Sequence, residues 1–322
     1  MHRLRLLITG ISGFIGRSLV EEIVNRQLPW DIYGIDIKNP VFNNPVYLTH
    51  INFSMVDIRD EYAVKMYFAK NQFDGIIHLA AVSRVVDAEN DKENCVAVNS
   101  NGMKYIVENT AKNPETWFVF GSSREVYGEQ TVFPVKESSE KKPINIYGEC
   151  KLEGELLVQK LIRRYMILRF SNVYGNNYDI KGRVIPAFVE RALNDEPLYL
   201  EGGGQIIDFT HISDTVKCII MAAELLQSNA IEKEEIHICP GYENRITDII
   251  SYLSSCLKKE LKVLYRNGRS YDVNKFIGDP TKRKEILCNK EFISLKEGIM
   301  LLLESEKNNS GYEGYKKLSE GK

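Results

Sequence analysis

The chain has 322 residues, of which 43% are hydrophobic and 27% are charged, and its formal net charge is −2. This composition is typical of a globular protein that is long enough for two domains or one large α/β unit with a smaller addition. The near-neutral charge gives no bulk electrostatic support for binding nucleic acid or an anionic membrane, so we expect neither as a partner.

The cysteine pattern and the hydropathy bound the class further. Six cysteines are scattered without CxxC or CxxH spacing, which argues against a zinc site, and no other metal site is predicted. No stretch reaches the roughly 18 consecutive apolar residues of a membrane-spanning helix. The short apolar start LRLLITG breaks at Gly10 and is interpreted as a strand, not a signal peptide. We therefore expect free thiols and a cytoplasmic protein.

Strand-like and helix-like segments alternate through the first half of the chain. Apolar, partly β-branched runs typical of buried strands occupy residues 3–10, 31–36, 73–81, 116–123 and 165–171. Segments with a helical period lie between them, at residues 16–28, 60–71, 99–112 and around Tyr147. This alternation predicts an α/β fold with a doubly wound parallel sheet, which binds ligands beyond the carboxyl ends of its strands.

The rhythm changes after residue 172, where loops and shorter elements become more frequent. We predict a first domain over residues 1–172 and a smaller substrate-facing lobe over residues 173–304. Within the second range, residues 214–239 contain a helix and a strand that are predicted to return to the main sheet. Residues 305–322 are polar and are predicted to form a tail.

A glycine loop follows the first predicted strand and precedes the first helix. Gly10 permits a tight turn, Gly13 lets the backbone approach a pyrophosphate, and Gly16 lets the helix pack close to the strand. The helix N-terminus adds amide donors and a partial positive charge for the phosphates. An ordinary strand-to-helix turn is the alternative, but the flanking elements favour a dinucleotide site.

Acidic residues at the ends of the next strands extend this prediction. Asp36 ends the second strand at the distance expected of a ribose-binding carboxylate, which repels a 2′-phosphate and so favours NAD over NADP. Lys38 is the one nearby feature that would tolerate NADP. Asp57 ends a third short strand and either contacts the adenine or caps a helix.

A tyrosine and a lysine four residues apart lie in INIYGECK. Tyr147 and Lys151 share one helix face, where the ammonium favours the phenolate. A phenol titrates near pH ~10, so lysine alone does not make it a base at neutral pH. Ser123, at the end of a predicted strand, supplies a nearby hydroxyl donor. Together with a nicotinamide, these residues could remove a proton from a sugar hydroxyl.

The order and content of the motifs resemble those of the extended short-chain dehydrogenase/reductase family, the NAD-dependent nucleotide-sugar epimerases and dehydratases. The motifs are TGISGFIG, DIRD, HLAA, SSREVYG, YGECK, RFSNVYG, VIPAFV and DFTHISD. The resemblance implies a Rossmann sheet of about seven strands that binds NAD in residues 1–172. It also implies a carboxyl-terminal lobe that holds a nucleotide-diphosphate sugar, and a homodimer formed through the helix that carries Tyr147.

The resemblance also implies roles for individual residues. Tyr147 is the base, Lys151 supports it electrostatically and binds the ribose, and Ser123 is the hydroxyl member of the trio. Further cofactor contacts are implied for Phe14, Ile15, Ile37, Asp57, Ile58, Leu79, Ala80, Ala81, Ser83 and Asn99. Substrate contacts are implied for Ser83, Arg84, Ser123, Arg124, Tyr147, Asn172, Arg183, Val184 and Lys275.

Two departures from the family pattern bear on the reaction. Arg124 stands where dehydratases place an aspartic acid, and a guanidinium cannot act as an acid near neutral pH. Glu125 matches the acid used as a base at C5, although it could equally be an ion-paired carboxylate away from the substrate. Ile207 replaces a pyrophosphate-binding arginine, and Lys275, Arg183 or Arg191 are the candidates to replace it.

The predicted function is an NAD-dependent nucleotide-sugar 4-epimerase, which oxidises the hexose at C4 and reduces it again. A nucleotide-sugar 4,6-dehydratase or decarboxylase that uses Glu125 is the main alternative. A dinucleotide-binding regulatory protein without catalysis is a third hypothesis, against which the combination of Ser123, Tyr147 and Lys151 argues. The sequence does not identify the nucleobase, and a lone histidine such as His211 is interpreted as structural.

Overall fold

The structure is a computed structural model that describes residues 3–309. Its strands are β1 (Leu4–Thr9), β2 (Trp30–Asp36), β3 (Ile51–Met55), β4 (Gly75–His78), β5 (Trp117–Ser123), β6 (Tyr165–Phe170), β7 (Asn172–Tyr174), β8 (Leu198–Glu201), β9 (Ile206–Ile207), β10 (Phe209–His211), β11 (Lys233–Ile238), β12 (Asn244–Arg245), β13 (Val263–Arg266) and β14 (Lys275–Phe276). The α-helices are α1 (Phe14–Asn25), α2 (Glu61–Lys70), α3 (Val85–Asn90), α4 (Lys92–Val96), α5 (Met103–Thr110), α6 (Ile146–Leu161), α7 (Val184–Leu193), α8 (Ile212–Gln227), α9 (Ile246–Leu257), α10 (Thr281–Ile286) and α11 (Leu295–Asn309). Short 3₁₀ turns cover Pro45–His50 and Arg124–Tyr127, and a π-helical turn over Ala97–Gly102 joins α4 to α5.

Seven parallel strands form the main sheet in the order β3-β2-β1-β4-β5-β6-β11. The predicted fold class, a doubly wound parallel sheet of about seven strands, is confirmed. The strands β1 and β4 are neighbours at the centre of the sheet. From β1 the chain adds strands toward one edge, and from β4 it adds them toward the other edge, so the strand order reverses between these two strands. Ligands of such sheets bind in the crevice beyond this point, at the carboxyl ends of the strands.

Helices cover both faces of the sheet because alternate strand residues point in opposite directions. Leu6 and Ile8 of β1 pack with α1 and α8 on one face. Leu7, between them, packs with α2, α5 and α6 on the other face. Because both faces are buried, the strands are nearly continuous apolar runs, as the sequence suggested.

The second lobe has its own hydrophobic core. Residues of α7, β8, α9 and α11 pack together around Phe188, Leu198, Leu253 and Ile299. The strand β11 belongs to the main sheet and α8 packs on that sheet, although both lie between lobe segments in the chain. The lobe therefore sits beside the carboxyl edge of the sheet and forms the second wall of the crevice.

Two features concern the end of the chain and the membrane. The helix α11 continues to Asn309, beyond residue 305 where the sequence predicts a polar tail to start, and residues 310–322 lie outside the described residues. Among residues 3–309, no helix has both the length and the apolar character that crossing a bilayer requires.

Candidate active site

A cleft of about 910 Å³ runs along the carboxyl edge of the main sheet. It begins at the glycine loop after β1, passes the ends of β4 and β5, and ends against β8 and β9 of the second lobe. Because this path crosses the point where the strand order reverses, the cleft lies where doubly wound sheets bind their ligands.

The glycine loop is shaped so that side chains would not fit. Gly10 has a φ of 72°, and a Cβ there would lie 2.6 Å from the backbone nitrogen of Ala80. A Cβ on Gly16 would lie 2.5 Å from the carbonyl oxygen of Gly10. Gly13 precedes the first turn of α1, where Phe14 and Ile15 line the cleft. The loop therefore brings bare backbone and a helix N-terminus to the cleft, which fits a pyrophosphate.

The carboxylate of Asp36 lies against this loop at the end of β2. Its Oδ2 accepts a hydrogen bond from the backbone nitrogen of Ser12 at 3.0 Å, and its Oδ1 accepts one from Ile37 at 2.8 Å. Asp36, Ile37 and Lys38 all line the cleft. The carboxylate is thus held beside the predicted pyrophosphate site, where a dinucleotide places its ribose.

Two residues that the sequence analysis did not single out, Arg59 and Asn94, line the cofactor half of the cleft near Asp57. Arg59 donates to Asp57 Oδ2 at 2.6 Å and to Asn94 Oδ1 at 2.9 Å. Asp60, not Asp57, caps α2 by accepting a hydrogen bond from Ala63 at 3.0 Å. The hydrogen bonds from Arg59 hold the pKa of Asp57 below its usual value. Asp57, Ile58, Arg59 and Asn94 all line the cleft.

The turn after β4 also lines the part of the cleft that is predicted to bind the cofactor. Leu79, Ala80, Ala81 and Ser83 line the cleft, as predicted for cofactor contacts. Asn99 does not, because its buried amide instead accepts from the nitrogen of Val82 at 2.8 Å and donates to the Val82 oxygen at 3.0 Å. Asn99 therefore holds the turn in place from behind, as a structural asparagine would, and its direct contact with the cofactor stays a prediction.

Ser123, Tyr147 and Lys151 meet at the centre of the cleft. Ser123 ends β5, and Tyr147 and Lys151 lie on the buried side of α6, with relative exposures of 8% and 4%. The Ser123 hydroxyl is near enough to the Tyr147 phenol to lower its pKa. The Lys151 Nζ lies 5.8 Å from the centre of the Tyr147 ring. The structure thus brings together the three residues that the sequence predicts as the reactive trio.

The protonation state of the trio depends on burial. Burial raises the pKa of Tyr147 to about 12, while the Ser123 hydrogen bond and the Arg183 charge oppose this rise. Burial also lowers the pKa of Lys151 to about 8. The sequence analysis attributed the lowering of the phenol pKa to Lys151, a nicotinamide ring and a hydroxyl donor, and it did not anticipate the contribution of Arg183.

The turn after β5 carries Arg124 and Glu125, the two residues that separate the predicted epimerase from the predicted dehydratase. Arg124 and Glu125 are buried, and Arg124 Nη2 lies 2.9 Å from Glu125 Oε1. Glu125 Oε2 accepts a hydrogen bond from Asn145 Nδ2 at 2.9 Å. Arg124 Nε donates to Asn172 Oδ1 at 2.8 Å. Both carboxylate oxygens of Glu125 therefore have protein partners, as in the ion-paired alternative, although Glu125 also lines the cleft and is not remote from it.

The second lobe contributes charged residues to the other half of the cleft. Arg183 faces Ser83 across it, with Nη2 at 3.4 Å from Ser83 Oγ, and pairs with Asp179 at 3.4 Å. Arg84 donates to the Gly182 oxygen at 3.0 Å. Arg183, Val184 and Arg191 line the cleft, together with Ile207.

The basic residue that lines this part of the cleft is Arg269, not Lys275. Lys275 lies outside the cleft, where its Nζ is 3.8 Å from Glu243 and 4.7 Å from the centre of the Phe133 ring. Arg269 lies in the cleft and is paired with Glu201. Arg269, and not Lys275, therefore lies in the wall of the cleft, and a direct contact between Lys275 and the substrate stays a prediction that this position does not favour.

A segment of the second lobe, residues 176–183, crosses the mouth of the dinucleotide half. Asn176 Nδ2 donates to Ser18 Oγ at 2.9 Å, and Asn177 and Asn43 exchange amide hydrogen bonds at 3.1 and 3.3 Å. The Tyr178 hydroxyl donates to Glu21, and the Arg17 guanidinium lies 4.2 Å from the Tyr178 ring centre. This strap ties the lobe to α1 and to the loop after β2.

His211 has a structural position. Its Nδ1 accepts a hydrogen bond from the backbone nitrogen of Ser213 at 3.3 Å and so caps α8. Burial lowers the pKa of His211 to about 4, so the ring is neutral at pH 7. The structural interpretation of this histidine agrees with these contacts.

Comparison with known proteins places this site in context. The model of the NAD dependent epimerase/dehydratase family matches residues 6–239. A protein named putative UDP-glucose 4-epimerase, from Methanocaldococcus jannaschii, is 31% identical over 95% of this chain and 99% of its own length. The dTDP-D-glucose 4,6-dehydratase of Mus musculus is 30% identical over 67% of this chain and 63% of its own length.

A solved structure agrees with the fold over nearly the whole chain. The UDP-glucose 4-epimerase of Thermotoga maritima, crystallised with UDP-glucose, superimposes with a TM-score of 0.84. It is 26% identical, and the match covers 95% of this chain and 100% of that one. The similarity therefore includes both the main sheet and the second lobe.

Proposed function

Because this chain belongs to the NAD dependent epimerase/dehydratase family, we propose that it inverts the configuration at C4 of a nucleotide-diphosphate hexose. The observation that carries the proposal is the pairing after β5, where Arg124 and Asn145 occupy both carboxylate oxygens of Glu125. A carboxylate held in this way is a poor base for the additional proton removal at C5 that dehydration requires. Chemistry confined to C4 needs only Ser123, Tyr147 and Lys151.

The cofactor half of the cleft fits NAD. When bound, NAD would supply reversible hydride transfer at C4 of the sugar and the positive charge of its oxidised ring. The glycine loop and the N-terminus of α1 would hold its pyrophosphate, and Asp36 would accept hydrogen bonds from the adenosine ribose. Lys151 would support the nicotinamide ribose as well as Tyr147. Asp57 and Ile58 would contact the adenine, together with Arg59 and Asn94.

Tyr147 acts as the base and then as the acid. It removes the proton from the C4 hydroxyl and returns a proton to the C4 oxygen after the sugar presents its other face. Ser123 donates a hydrogen bond that stabilises the phenolate, since this bond lowers the pKa of Tyr147. The Arg183 charge acts in the same direction. These two groups oppose the burial that otherwise keeps the phenol protonated.

A nucleotide-sugar 4,6-dehydratase is the second candidate. The mouse dehydratase relative and the presence of Glu125 in the cleft favour it. Against it, Arg124 stands at the position of the dehydratase acid, and a guanidinium keeps its proton near neutral pH. A non-catalytic dinucleotide-binding protein is the third candidate. The close placement of Ser123, Tyr147 and Lys151 in the cleft argues against it.

We assign uridine diphosphate as the nucleotide, because the Methanocaldococcus and Thermotoga relatives carry UDP-glucose in their names. Arg269, in the wall beside β8, is the basic residue best placed to hold the diphosphate in the absence of an arginine at Ile207. On substrate binding, the Arg269 guanidinium would give up its hydrogen bond to Glu201 and donate to a phosphate oxygen instead.

We also propose a homodimer formed through the outer surface of α4 and α6. Leu156 and Leu161 of α6 are 58% and 37% exposed, and Val96 of α4 is 36% exposed. Burying such residues against a second copy is favourable. A cytoplasmic location also stays a prediction from the sequence.

Product analysis tests the proposed function. Purified protein is incubated with UDP-, CDP-, GDP- and dTDP-glucose, and products are followed by NMR without added NAD. We expect UDP-galactose as the product from UDP-glucose and no product with the Tyr147→Phe variant. A 4-keto-6-deoxy sugar as the product would establish the dehydratase instead.

A further inference from the structure

Four buried or partly buried side chains connect strand β7, which lines the cleft, to the N-cap of α6. Asn172 on β7 bonds to Arg124, Arg124 pairs with Glu125, and Glu125 accepts from Asn145. Each of these contacts spans 2.8 to 2.9 Å. Arg124, Glu125 and Asn145 are 8%, 5% and 3% exposed. The chain of contacts thus runs through the interior, between the two walls of the cleft.

The bond from Arg124 fixes which way the Asn172 amide faces. A guanidinium carries only donors, so the atom 2.8 Å from Arg124 Nε has to be the amide oxygen. The NH₂ group of Asn172 then points away from Arg124. It has no hydrogen-bond partner among the residues that the structure describes, and Asn172 lines the cleft. The exposed end of this side chain is therefore a donor.

We infer that Arg124 is a positioning residue for the substrate: it holds Asn172 so that the amide donates to an oxygen of the sugar or its diphosphate. This inference rests on the proposed function for the identity of the ligand. It assigns Arg124 a role other than the acid of a dehydratase or a direct contact with the reacting carbon. The ligand group that it selects is an oxygen acceptor, since the Asn172 oxygen is already occupied.

The same guanidinium also relates Asn172 to the helix of the base. Asn145 is the N-cap of α6, and its Oδ1 accepts from the Gly148 nitrogen at 2.8 Å, next to Tyr147. A Cβ on Gly148 would lie 2.6 Å from the carbonyl oxygen of Glu125, so the helix packs directly on this turn. Arg124 therefore sets the position of Asn172 relative to Tyr147 through two nitrogens of one planar guanidinium group.

The two contacts of the Arg124 guanidinium explain why this position is an arginine. Nε serves Asn172 and Nη2 serves Glu125, and the rigid guanidinium fixes the angle between the two bonds. A lysine ammonium is a single point on a flexible stem and does not reproduce both bonds at this spacing. Arg124→Lys keeps the charge and loses the geometry, which separates positioning from electrostatics.

A double-mutant cycle tests the inference. The affinity of the NAD-loaded protein is measured by calorimetry for UDP-, CDP-, GDP- and dTDP-glucose, and the tightest ligand is used throughout. We expect Arg124→Lys and Asn172→Ala each to weaken binding about tenfold. Because both act through one contact, we expect the double variant to bind within about threefold of Asn172→Ala alone. Losses that multiply would overturn the inference.

Asn172→Asp provides a second variant that preserves the fold. The aspartate still accepts from Arg124 Nε but offers no donor to the cleft, so it should bind as weakly as Asn172→Ala. Full affinity in Asn172→Asp would contradict the assigned orientation. Arg164→Lys is the matched control, since Arg164 is a similarly buried arginine that bonds to the Leu226 oxygen, away from the cleft. All of these experiments measure affinity and not turnover. They therefore test the role of Arg124 even if the product analysis shows that the protein is not an epimerase.

Discussion

Lys151 Nζ donates a hydrogen bond of 2.7 Å to the carbonyl oxygen of Gly121, two residues before Ser123. This bond joins α6 to the end of β5, so that the helix carrying Tyr147 is held at a fixed height beside the strand carrying Ser123. The lysine therefore has a positional role in addition to its charge. Its other ammonium hydrogens remain available for a ribose hydroxyl.

The Ser123 hydroxyl should determine the pH at which Tyr147 becomes a base. Because the Ser123 hydrogen bond lowers the pKa of Tyr147, Ser123→Ala raises it and leaves less phenolate at neutral pH. We expect the acidic limb of the kcat profile to move by about one pH unit to higher pH, with about a tenfold loss at pH 7. Activity should recover as the pH rises. The measurement is the initial rate from about pH 6 to about pH 10, the range that leads up to the titration of a phenol.

Ser122→Ala is the control for this experiment. The Ser122 hydroxyl is equally buried but donates to Glu155 at 2.6 Å. We expect it to change stability and leave the pH profile in place. Equal shifts in both variants would mean that the Ser123 effect comes from general loosening of β5.

Much of the cofactor site could be predicted from the sequence because its residues are close together in the chain. Gly10, Gly13 and Gly16 lie in one turn, and Tyr147 and Lys151 share one helix face, so spacing alone defines their geometry. The sheet was equally accessible, since buried parallel strands are continuous apolar runs. These features depend on local structure that periodicity describes well.

The rest of the site depends on contacts between distant segments. Tyr178 and Glu21 are 157 residues apart in sequence, and no local pattern signals their hydrogen bond. Arg269 lies in an irregular segment without periodicity, so nothing in the local sequence indicates that it lines the cleft. The pairing of Arg124 with Glu125 was one of two open alternatives, because neighbouring residues in a turn have no fixed relative direction.

Arg269 and Lys275 form a matched pair for testing diphosphate binding. We expect Arg269→Gln to raise the KM for the nucleotide sugar about tenfold, because a charge-assisted bond to a phosphate oxygen is lost. Lys275→Gln should leave the KM unchanged, since Lys275 lies outside the cleft and faces Glu243. Steady-state kinetics give both values. The reverse ranking of the two variants would restore Lys275 as the phosphate ligand.

Asp36 should set the preference for NAD. We expect Asp36→Ser to weaken NAD binding about tenfold and to improve binding of NADP, because the carboxylate no longer accepts from the ribose or repels a 2′-phosphate. Lys38, beside it in the cleft, should favour the added phosphate in this variant. Fluorescence titration with both dinucleotides measures the change. An unchanged ratio of the two dissociation constants would contradict the role given to Asp36.

The strap over residues 176–183 should slow the release of NAD. Tyr178→Phe removes the hydroxyl that donates to Glu21 and accepts from the Asn43 nitrogen at 2.9 Å. We expect NAD to dissociate several-fold faster, since each lost bond is worth about 1 kcal/mol. Tyr47→Phe, which loses only an exposed bond to Asn25, is the control. Equal release rates in Tyr178→Phe and the unmodified protein would show that the strap does not retain the cofactor.

The most direct test of the central claim follows a deuterium atom placed at C4 of UDP-glucose. Hydride removed from C4 returns to whichever carbon the enzyme reduces. For a 4-epimerase we predict that NMR and mass spectrometry find the deuterium at C4 of UDP-galactose, without loss to solvent or to added NAD. Deuterium at C6 of a 4-keto-6-deoxy sugar would contradict the epimerase and establish dehydration.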